Sequence, residues 1–294
     1  MKYLFLIATL MLSGVVFAAE GDDELVDGKF RVKGVSGLNL SQTSLTNWSA
    51  GGESSLAGTA YFNGTAERKS GNWLWANSLA LEYGLTSKSD QGVRKIGDKI
   101  DFSTQLGYKA TDKWYYTALA DFKTQFAKGY NYKDDQKGPY ISKFMAPGYS
   151  NLSLGIEYRP KNFCNFFFSP AAGKFTFVAD DSLSNAGAFG VDPGDKFRAE
   201  FGTYLKGRYE KEVVKNVKII STVDFFTPYN KDFGNIDVNW DMLISMKVNK
   251  YLSATVNTTL KYDDDIKSVD QDGNAEGPKV QFKEVLGIGF AYNF

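Results

Sequence analysis

The chain has 294 residues and carries 34 Lys and Arg against 34 Asp and Glu, a balance that offers no electrostatic basis for a nucleic-acid partner. It contains no histidine, which excludes histidine-assisted Ser or Cys nucleophiles and histidine-ligated metals. Its single cysteine, Cys164, cannot form an internal disulfide. No P-loop, dinucleotide-binding fingerprint or nucleophile elbow occurs, so we assign no catalytic, cofactor-binding or metal-binding residues.

The first 18 residues have the pattern of a secretory signal peptide. Lys2 supplies the positive start, an apolar stretch follows to Val16, and Val16-Phe17-Ala18 gives the small residues that precede a cleavage site. The stretch is shorter than the roughly 20 residues of a transmembrane helix. We therefore expect cleavage after Ala18, a periplasmic segment over 19–29 and one β-barrel domain over 30–294.

Apolar and polar residues alternate along the segment from Ile236 to Val248. Trp240, Met242 and Ile244 share one parity, and the other parity is mostly polar, with Asp237 and Asp241 among its members. Because successive side chains of a strand point to opposite faces, the segment predicts a strand with one apolar face.

The same alternation recurs along the chain and predicts twelve antiparallel strands. The seventh is the least regular, because Pro170 and Gly173 interrupt it. The predicted strands are about 30–45, 54–68, 73–86, 98–110, 113–127, 149–159, 163–178, 197–210, 215–228, 235–248, 251–263 and 280–294.

The connections alternate between short and long. An up-and-down barrel places all even connections at one end, and outer-membrane barrels have short periplasmic turns and long outer loops. The short connections are 69–72, 111–112, 160–162, 211–214 and 249–250, and the long ones include 87–97, 128–148, 179–196 and 264–279. We therefore predict an all-β transmembrane up-and-down barrel in the outer membrane of a Gram-negative bacterium, with both termini periplasmic and the wall against lipid and lipopolysaccharide.

Aromatic residues make up 15% of the chain, and many flank the short turns, as in the girdle of a membrane barrel. The last strand ends on Phe294, which resembles the signal read by the outer-membrane assembly machinery. Glu284 falls on the lipid-facing parity of this strand and predicts a bulge or a register change. The flanking aromatics are Trp73, Trp75, Trp114, Tyr115, Tyr116, Tyr158, Phe163, Tyr251, Tyr292 and Phe294.

The faces opposite the apolar ones should line the lumen, and they carry charges of both signs. Such charges could pair across a narrow interior and close it, or line a hydrated pore, and twelve strands do not decide between the two. The candidate lumen-lining charges are Glu82, Asp101, Asp121, Lys123, Glu157, Arg159, Arg198, Glu200, Lys206, Arg208, Asp237, Asp241 and Lys261, with Glu67, Lys99, Lys109 and Asp224 on the same faces.

One outer connection, 263–276, is acidic enough to hold a divalent cation. It contains Asp263-Asp264-Asp265, Asp270, Asp272, Asn274 and Glu276, but Ala275 occupies the position of the EF-hand glycine. A solvated acidic loop is the commoner case, so both alternatives stay open.

Three stretches resemble a family: Leu38–Glu53, Trp73-Leu74-Trp75 and Asp181–Val191. They are similar to an uncharacterised domain-of-unknown-function family of Bacteroidetes-type outer-membrane β-barrel proteins. The resemblance covers most of the mature chain and implies the compartment and the fold. It implies no catalytic residue and no ligand.

Three functions compete on this sequence. The favoured one is a small-solute channel with a porin-like lumen. The alternative is a closed structural or accessory barrel that binds a protein partner in an outer-membrane assembly. An enzyme using adjacent acids, such as Asp134 with Asp135 or Asp180 with Asp181, is the least favoured, because adjacent loop carboxylates are usually solvated.

Overall fold

The computed structural model describes residues 25–44, 54–88, 92–133, 136–229, 234–249, 252–265, 267–269 and 275–294. The predicted signal peptide at 1–18 lies outside these residues and stays a prediction.

Twelve long strands of the described chain close into one antiparallel barrel, which confirms the predicted fold. Each barrel strand is hydrogen bonded to the barrel strands before and after it in the sequence, and the first strand closes against the last. The barrel strands are β1 (Phe30–Thr43), β2 (Ser55–Ser70), β3 (Trp73–Lys88), β4 (Gly92–Lys109), β5 (Trp114–Thr124), β8 (Gly148–Lys161), β9 (Cys164–Phe177), β10 (Phe197–Val214), β11 (Val217–Pro228), β12 (Asp237–Lys247), β13 (Leu252–Tyr262) and β16 (Gln281–Asn293).

The long connections contain secondary structure that the alternation pattern did not predict. Two small hairpins and two short helices lie there, and the predicted 87–97 loop is largely strand, because β3 and β4 pair up to Lys88↔Gly92. The additional elements are β6 (Gly129–Lys133), β7 (Gln136–Ser142), α1 (Asp181–Asn185), a 3-10 helix (Ala188–Gly190), β14 (Lys267–Val269) and β15 (Ala275–Pro278). Among the described residues, no helix has the length and apolar character required to cross a membrane.

The outer wall is apolar and the inner wall is polar, as the alternation predicts. On β8, Leu154 is 66% exposed on the outside whereas Glu157, of the opposite parity, is 1% exposed inside. On β16, Phe282, Leu286 and Ile288 are 59%, 68% and 60% exposed. A continuous wall of exposed large apolar side chains is the surface that a barrel presents to lipid, so this is a transmembrane barrel.

Aromatic side chains pair on the wall beside the short turns 71–72, 110–113, 162–163 and 215–216. The ring centroids of Trp73 and Tyr108 are 5.0 Å apart, and those of Trp114 and Tyr158 are 4.6 Å apart. Their position agrees with a girdle at one membrane interface. We call this the short-turn end, and the opposite end the long-loop end.

The strand predicted to be the least regular, β9, is interrupted by a bulge near Pro170. The register shifts between Leu154 and Ile156 on one side and between Gly202 and Tyr204 on the other. A Cβ on Gly155 would lie 2.0 Å from the Phe168 carbonyl oxygen. Only glycine therefore allows the two backbones to approach this closely.

The predicted bulge at Glu284 is wrong. The β13–β16 ladder is regular from Leu252↔Phe290 to Lys261↔Gln281, with Thr258 opposite Glu284. The exposed Glu284 side chain therefore keeps its parity and points outward.

Candidate functional site

The lumen near the short turns contains a chain of alternating acids and bases. Glu67 on β2 binds Arg31 on β1, and Arg159 on β8 at 3.0 Å. Arg159 also lies 2.9 Å from Glu157, which accepts a hydrogen bond of 2.5 Å from Asn165. The Glu67–Arg159 pair joins β2 to β8, which are not neighbours in the ring, so these side chains extend across the lumen at this level.

Arg208, Glu210 and Lys218 form a second cluster towards the same end. Glu210 lies 2.7 Å from Arg208 and 2.8 Å from Lys218. Glu210 therefore lies between two cations, one on its own strand and one on β11.

At mid-height, ion pairs cross the lumen. Lys99 Nζ on β4 lies 3.1 Å from Asp241 Oδ1 on β12, and these two strands stand on opposite sides of the ring. Lys123 on β5 lies 2.7 Å from Asp224 on β11. The lumen is thus bridged from wall to wall in this structure.

Asp121 is held by side chains from two strands, β8 and β10. Tyr204 Oη donates to Asp121 Oδ2 at 3.1 Å, and the Asn151 amide donates to Oδ1 at 2.9 Å. The Lys206 ammonium lies 3.9 Å from Asp121 and donates to Ser103 at 3.0 Å. Glu82 accepts from both Lys283 and Asn257 at 2.6 Å.

A cavity of about 110 Å³ remains among these groups, large enough for several water molecules. Asp101 and Gln105 line it together with Lys99, Lys123 and Tyr61. The Tyr61 hydroxyl has no hydrogen-bond partner within the described chain.

Towards the long-loop end, carboxylates surround two cations. Lys174 on β9 lies 2.5 Å from Asp237, 3.2 Å from Asp263 and 3.8 Å from Glu200. Arg198 lies 2.8 Å from Glu200 and 2.7 Å from Asp265, and it donates to the Gly190 carbonyl at 3.0 Å.

A cap of packed connections covers this end of the barrel wall. We define it by Ala146, Val178, Leu183 and Val191, whose buried side chains form one apolar cluster. Asp180 caps the N-terminus of α1 by accepting from the Leu183 N–H at 3.0 Å, and it lies 2.5 Å from Lys143. The hydrogen bond from Lys143, followed by the one from Leu183, lowers the pKa of Asp180 to about 2.

The structure brings most of the predicted lumen charges into ion pairs. Glu82, Asp121, Lys123, Glu157, Arg159, Arg198, Glu200, Lys206, Arg208, Asp237 and Asp241 all have charged partners. Asp101 and Lys261 lie on the inward parity of β4 and β13, and the structure gives neither an ion pair within the described residues. Lys109 instead pairs at 2.8 Å with Asp112 in an exposed turn.

Sequence reasoning missed Lys174 and Lys283 as lumen charges. Lys174 follows the break at Pro170 and Gly173, and Lys283 lies beside Glu284, where we predicted a change of register. If inward and outward faces had been assigned by counting alternate residues from the regular end of each strand, both lysines would have been placed in the lumen.

The acidic groups left open as metal or catalytic sites have other partners where they are described. Asp263 and Asp265 bind Lys174 and Arg198, while Asp270, Asp272 and Asn274 lie outside the described residues. Asp134 and Asp135 also lie outside them. Asp180 and Asp181 bind separate lysines, Lys143 and Lys196.

Residues 40–130 match the family model described as "Protein of unknown function (DUF3078)". This match includes Trp73-Leu74-Trp75 and most of Leu38–Glu53, but not Asp181–Val191. No curated protein matches the chain.

Three solved structures are similar to the chain at low identity. The COG4313 outer membrane channel from Pseudomonas putida F1 is 12% identical, with a TM-score of 0.40, over 95% of this chain and 100% of that one. The NanC porin is 10% identical, with a TM-score of 0.36, over 88% and 98%. The translocator domain of the autotransporter NalP from Neisseria meningitidis is 11% identical, with a TM-score of 0.30, over 100% and 95%. Likenesses at this level carry no inference about what this chain transports or binds. The fold rests on the closed ring of strands itself, which makes the chain an all-β barrel of the outer-membrane type.

Proposed function

We propose that the protein is an outer-membrane channel for small polar solutes, held closed by ion pairs across its lumen. The Lys99–Asp241 pair between opposite strands carries this proposal. A barrel that is permanently closed gains nothing from such pairs, because well-packed apolar side chains of similar volume are often as stable or more stable. A charged, hydrated interior can instead rearrange and admit water.

The residual cavity and its lining support the same function. Asp101 lines the cavity together with Lys99 and Lys123 and forms no salt bridge within the described residues, so a polar solute in the cavity would meet charges of both signs. Charges of both signs in a constricted pore can exchange protein partners for solute or water.

The test is single-channel conductance of the refolded protein in a planar bilayer. We expect small openings for the natural chain and several-fold larger ones for the Lys99→Ala/Asp241→Ala double variant. Lys109→Ala/Asp112→Ala is the matched control, since it removes an exposed Lys–Asp pair at the short-turn end. Silence of both natural and lumen-variant protein at all voltages, from folded samples, would exclude the channel.

The second candidate is a closed accessory barrel that binds a protein partner. The packed cap of connections at the long-loop end favours it. It predicts no conductance even after the bridge is removed, and recovery of a specific partner from solubilised membranes.

We also propose the orientation expected from the loop lengths, with both termini in the periplasm, the wall in contact with lipid and lipopolysaccharide, and β16 as the strand recognised by the assembly machinery. The Bacteroidetes-type character belongs to this proposal as well. On intact cells, an impermeant amine reagent should modify the exposed Lys196 and spare the exposed Lys215. The reverse labelling pattern would show that the barrel has the opposite orientation in the membrane.

A further inference from the structure

The junction between the first and last strands is shorter than every other junction of the barrel. β1 and β16 pair only from Val35↔Asn293 to Leu40↔Ile288, with a further backbone bond pair between Gly34 and Phe294. On its other edge, β16 stays paired with β13 as far as Lys261↔Gln281. Within the described chain, the β16 edge over 284–287, which would face residues 41–44, has no partner strand.

The first strand diverges at the same level. From Ser41 to Thr43 it pairs only with β2, up to Thr43↔Ser55. If the Leu40↔Ile288 register continued, Gln42 would face Leu286, but the structure contains no such pair. A wedge therefore opens between the two strands towards the long-loop end.

The wedge lies within the height of the apolar wall. The outward-facing side chains of β16 are exposed from Tyr292, in the girdle, to Phe282. Tyr292 is 57% exposed and Phe282 is 59% exposed. Ten steps of about 3.3 Å along a strand tilted by about 40° span roughly 25 Å, which is the height of the apolar band of a membrane barrel. The unpaired stretch thus lies in the half of β16 that the proposed orientation places in the outer leaflet.

Backbone groups without partners are not stable against lipid, because lipid offers no hydrogen bonds. Glu284 is a second, independent sign of water at this place, since its exposed side chain faces outward between Phe282 and Leu286. A carboxylate on the lipid face of a barrel is unfavourable unless water reaches it.

The lumen side of the wedge is polar. Lys283 on the inward parity is 37% exposed and pairs with Glu82, which also accepts from Asn257. Further down, β16 presents Gly287 and Gly289 inward, against Asn39. Polar groups therefore continue from the outer wall into the lumen.

We propose that the wedge between β1 and β16 is a hydrated lateral port, through which small amphipathic molecules of the outer leaflet reach the lumen. Their polar heads would exchange for water at Glu284, Lys283 and the free strand edge, while their apolar tails stay in lipid. The port goes beyond the axial channel and stands whether or not the lumen conducts ions.

The first measurement is thiol labelling in lipid nanodiscs, in a Cys164→Ser background. Glu284→Cys should react with a charged, membrane-impermeant maleimide at least tenfold faster than Leu152→Cys. Leu152 is the matched control, since it is 53% exposed on the outer wall of β8, near the long-loop end. Equal rates at the two positions, slow or fast, would overturn the port.

The second measurement uses a disulfide that joins β1 to β16 across the wedge. A Gln42→Cys/Leu286→Cys disulfide should slow labelling of Glu284→Cys at least tenfold, and reduction should restore it. A Leu38→Cys/Phe290→Cys disulfide, in the paired section, is the control and should leave the rate unchanged. No effect of the first disulfide would contradict the port.

The third measurement uses a diazirine-bearing fatty acid in the same nanodiscs. Cross-links should reach Lys283 or Asn257 on the lumen side and should disappear when the Gln42–Leu286 disulfide forms. If labelling of Glu284→Cys stays fast but cross-links form only at outward residues such as Leu286 and Leu154, the wedge admits water but not amphipathic molecules. That result would overturn this part of the proposal. Folding of each variant is checked by its heat-dependent migration on gels.

Discussion

Lys174 is the residue on which the charge balance of the long-loop end depends. It lies within 4 Å of Asp237, Asp263 and Glu200, so one ammonium offsets three neighbouring carboxylates. Removing it leaves like charges close together in a partly buried place, and this repulsion lowers stability.

We expect Lys174→Ala to lower the free energy of unfolding by about 2 kcal/mol, measured by urea unfolding in lipid vesicles. Lys196→Ala is the control, because the Lys196–Asp181 pair is exposed on both sides. That change should cost at most about 0.5 kcal/mol. Equal effects of the two variants would contradict a central role for Lys174.

Asp180 gives the cap a dependence on acid pH. Its pKa of about 2 in the folded protein is below the ordinary value of 3.8, so its contribution is complete above about pH 4 and is lost as the pH falls towards 2. Protonation weakens the bonds from Lys143 and the Leu183 N–H, which together hold the start of α1.

Pepsin cleavage within 178–196 should therefore increase between pH 4 and pH 2. Asp180→Asn is the control for the protease itself, because this variant should be cleaved readily throughout the range. If the natural chain were cleaved as readily as the variant at every pH, the Asp180 carboxylate would not be what holds the cap.

At the scale of elements, the cap is a small apolar unit set on a large barrel. Leu183 of α1 is 8% exposed and packs with Ala146, Val178 and Val191. A charged side chain cannot remain in this cluster without a partner.

We expect Leu183→Asp to release the cap while the barrel stays closed. Limited trypsin digestion should then cut after Lys196, and heat-dependent migration on gels should remain that of the natural protein. Simultaneous loss of barrel migration would show that cap and barrel are one cooperative unit.

The β8–β9 junction depends on glycine at one close approach. A Cβ at Gly155 would lie 2.0 Å from the Phe168 carbonyl oxygen, and backbone cannot move away as a flexible side chain can. Gly155→Val should cost about 2 kcal/mol or more in urea unfolding. Gly58→Val is the control, because the nearest atom to its Cβ is the Leu40 side chain at 3.4 Å.

The alternation of apolar and polar residues could not predict the secondary structure within the connections. The β6–β7 hairpin is held by pairs such as Tyr130↔Tyr140, and α1 by its contacts with Ala146 and Val178. The contact of α1 with Ala146 joins segments far apart in the chain, and the hairpin depends on pairing between its own strands, whereas alternation reports only the exposure of each residue.

At the scale of the whole molecule, the sequence predicts the strands and their faces well because lipid outside and water inside impose one rule on every strand. Trp240 and Leu154 face outward and Asp121 faces inward, as their parity requires. Ion-pair partners do not follow from that rule. Lys99 meets Asp241 only because six strand positions separate β4 from β12 around the ring, a property of the closed barrel.

The order of strands around the ring also determines how the chain can fold. Each barrel strand pairs with its predecessor in the sequence, except at the single place where residues 35–40 meet residues 288–293. Pairing two successive strands costs little chain entropy, whereas pairing the first strand with the last costs the most. This last junction also has the fewest paired residues to offset that cost. We therefore expect the sheet to grow hairpin by hairpin and to close in a final, slow step. Changes at Leu38 or Phe290 should slow closure without affecting the earlier stages.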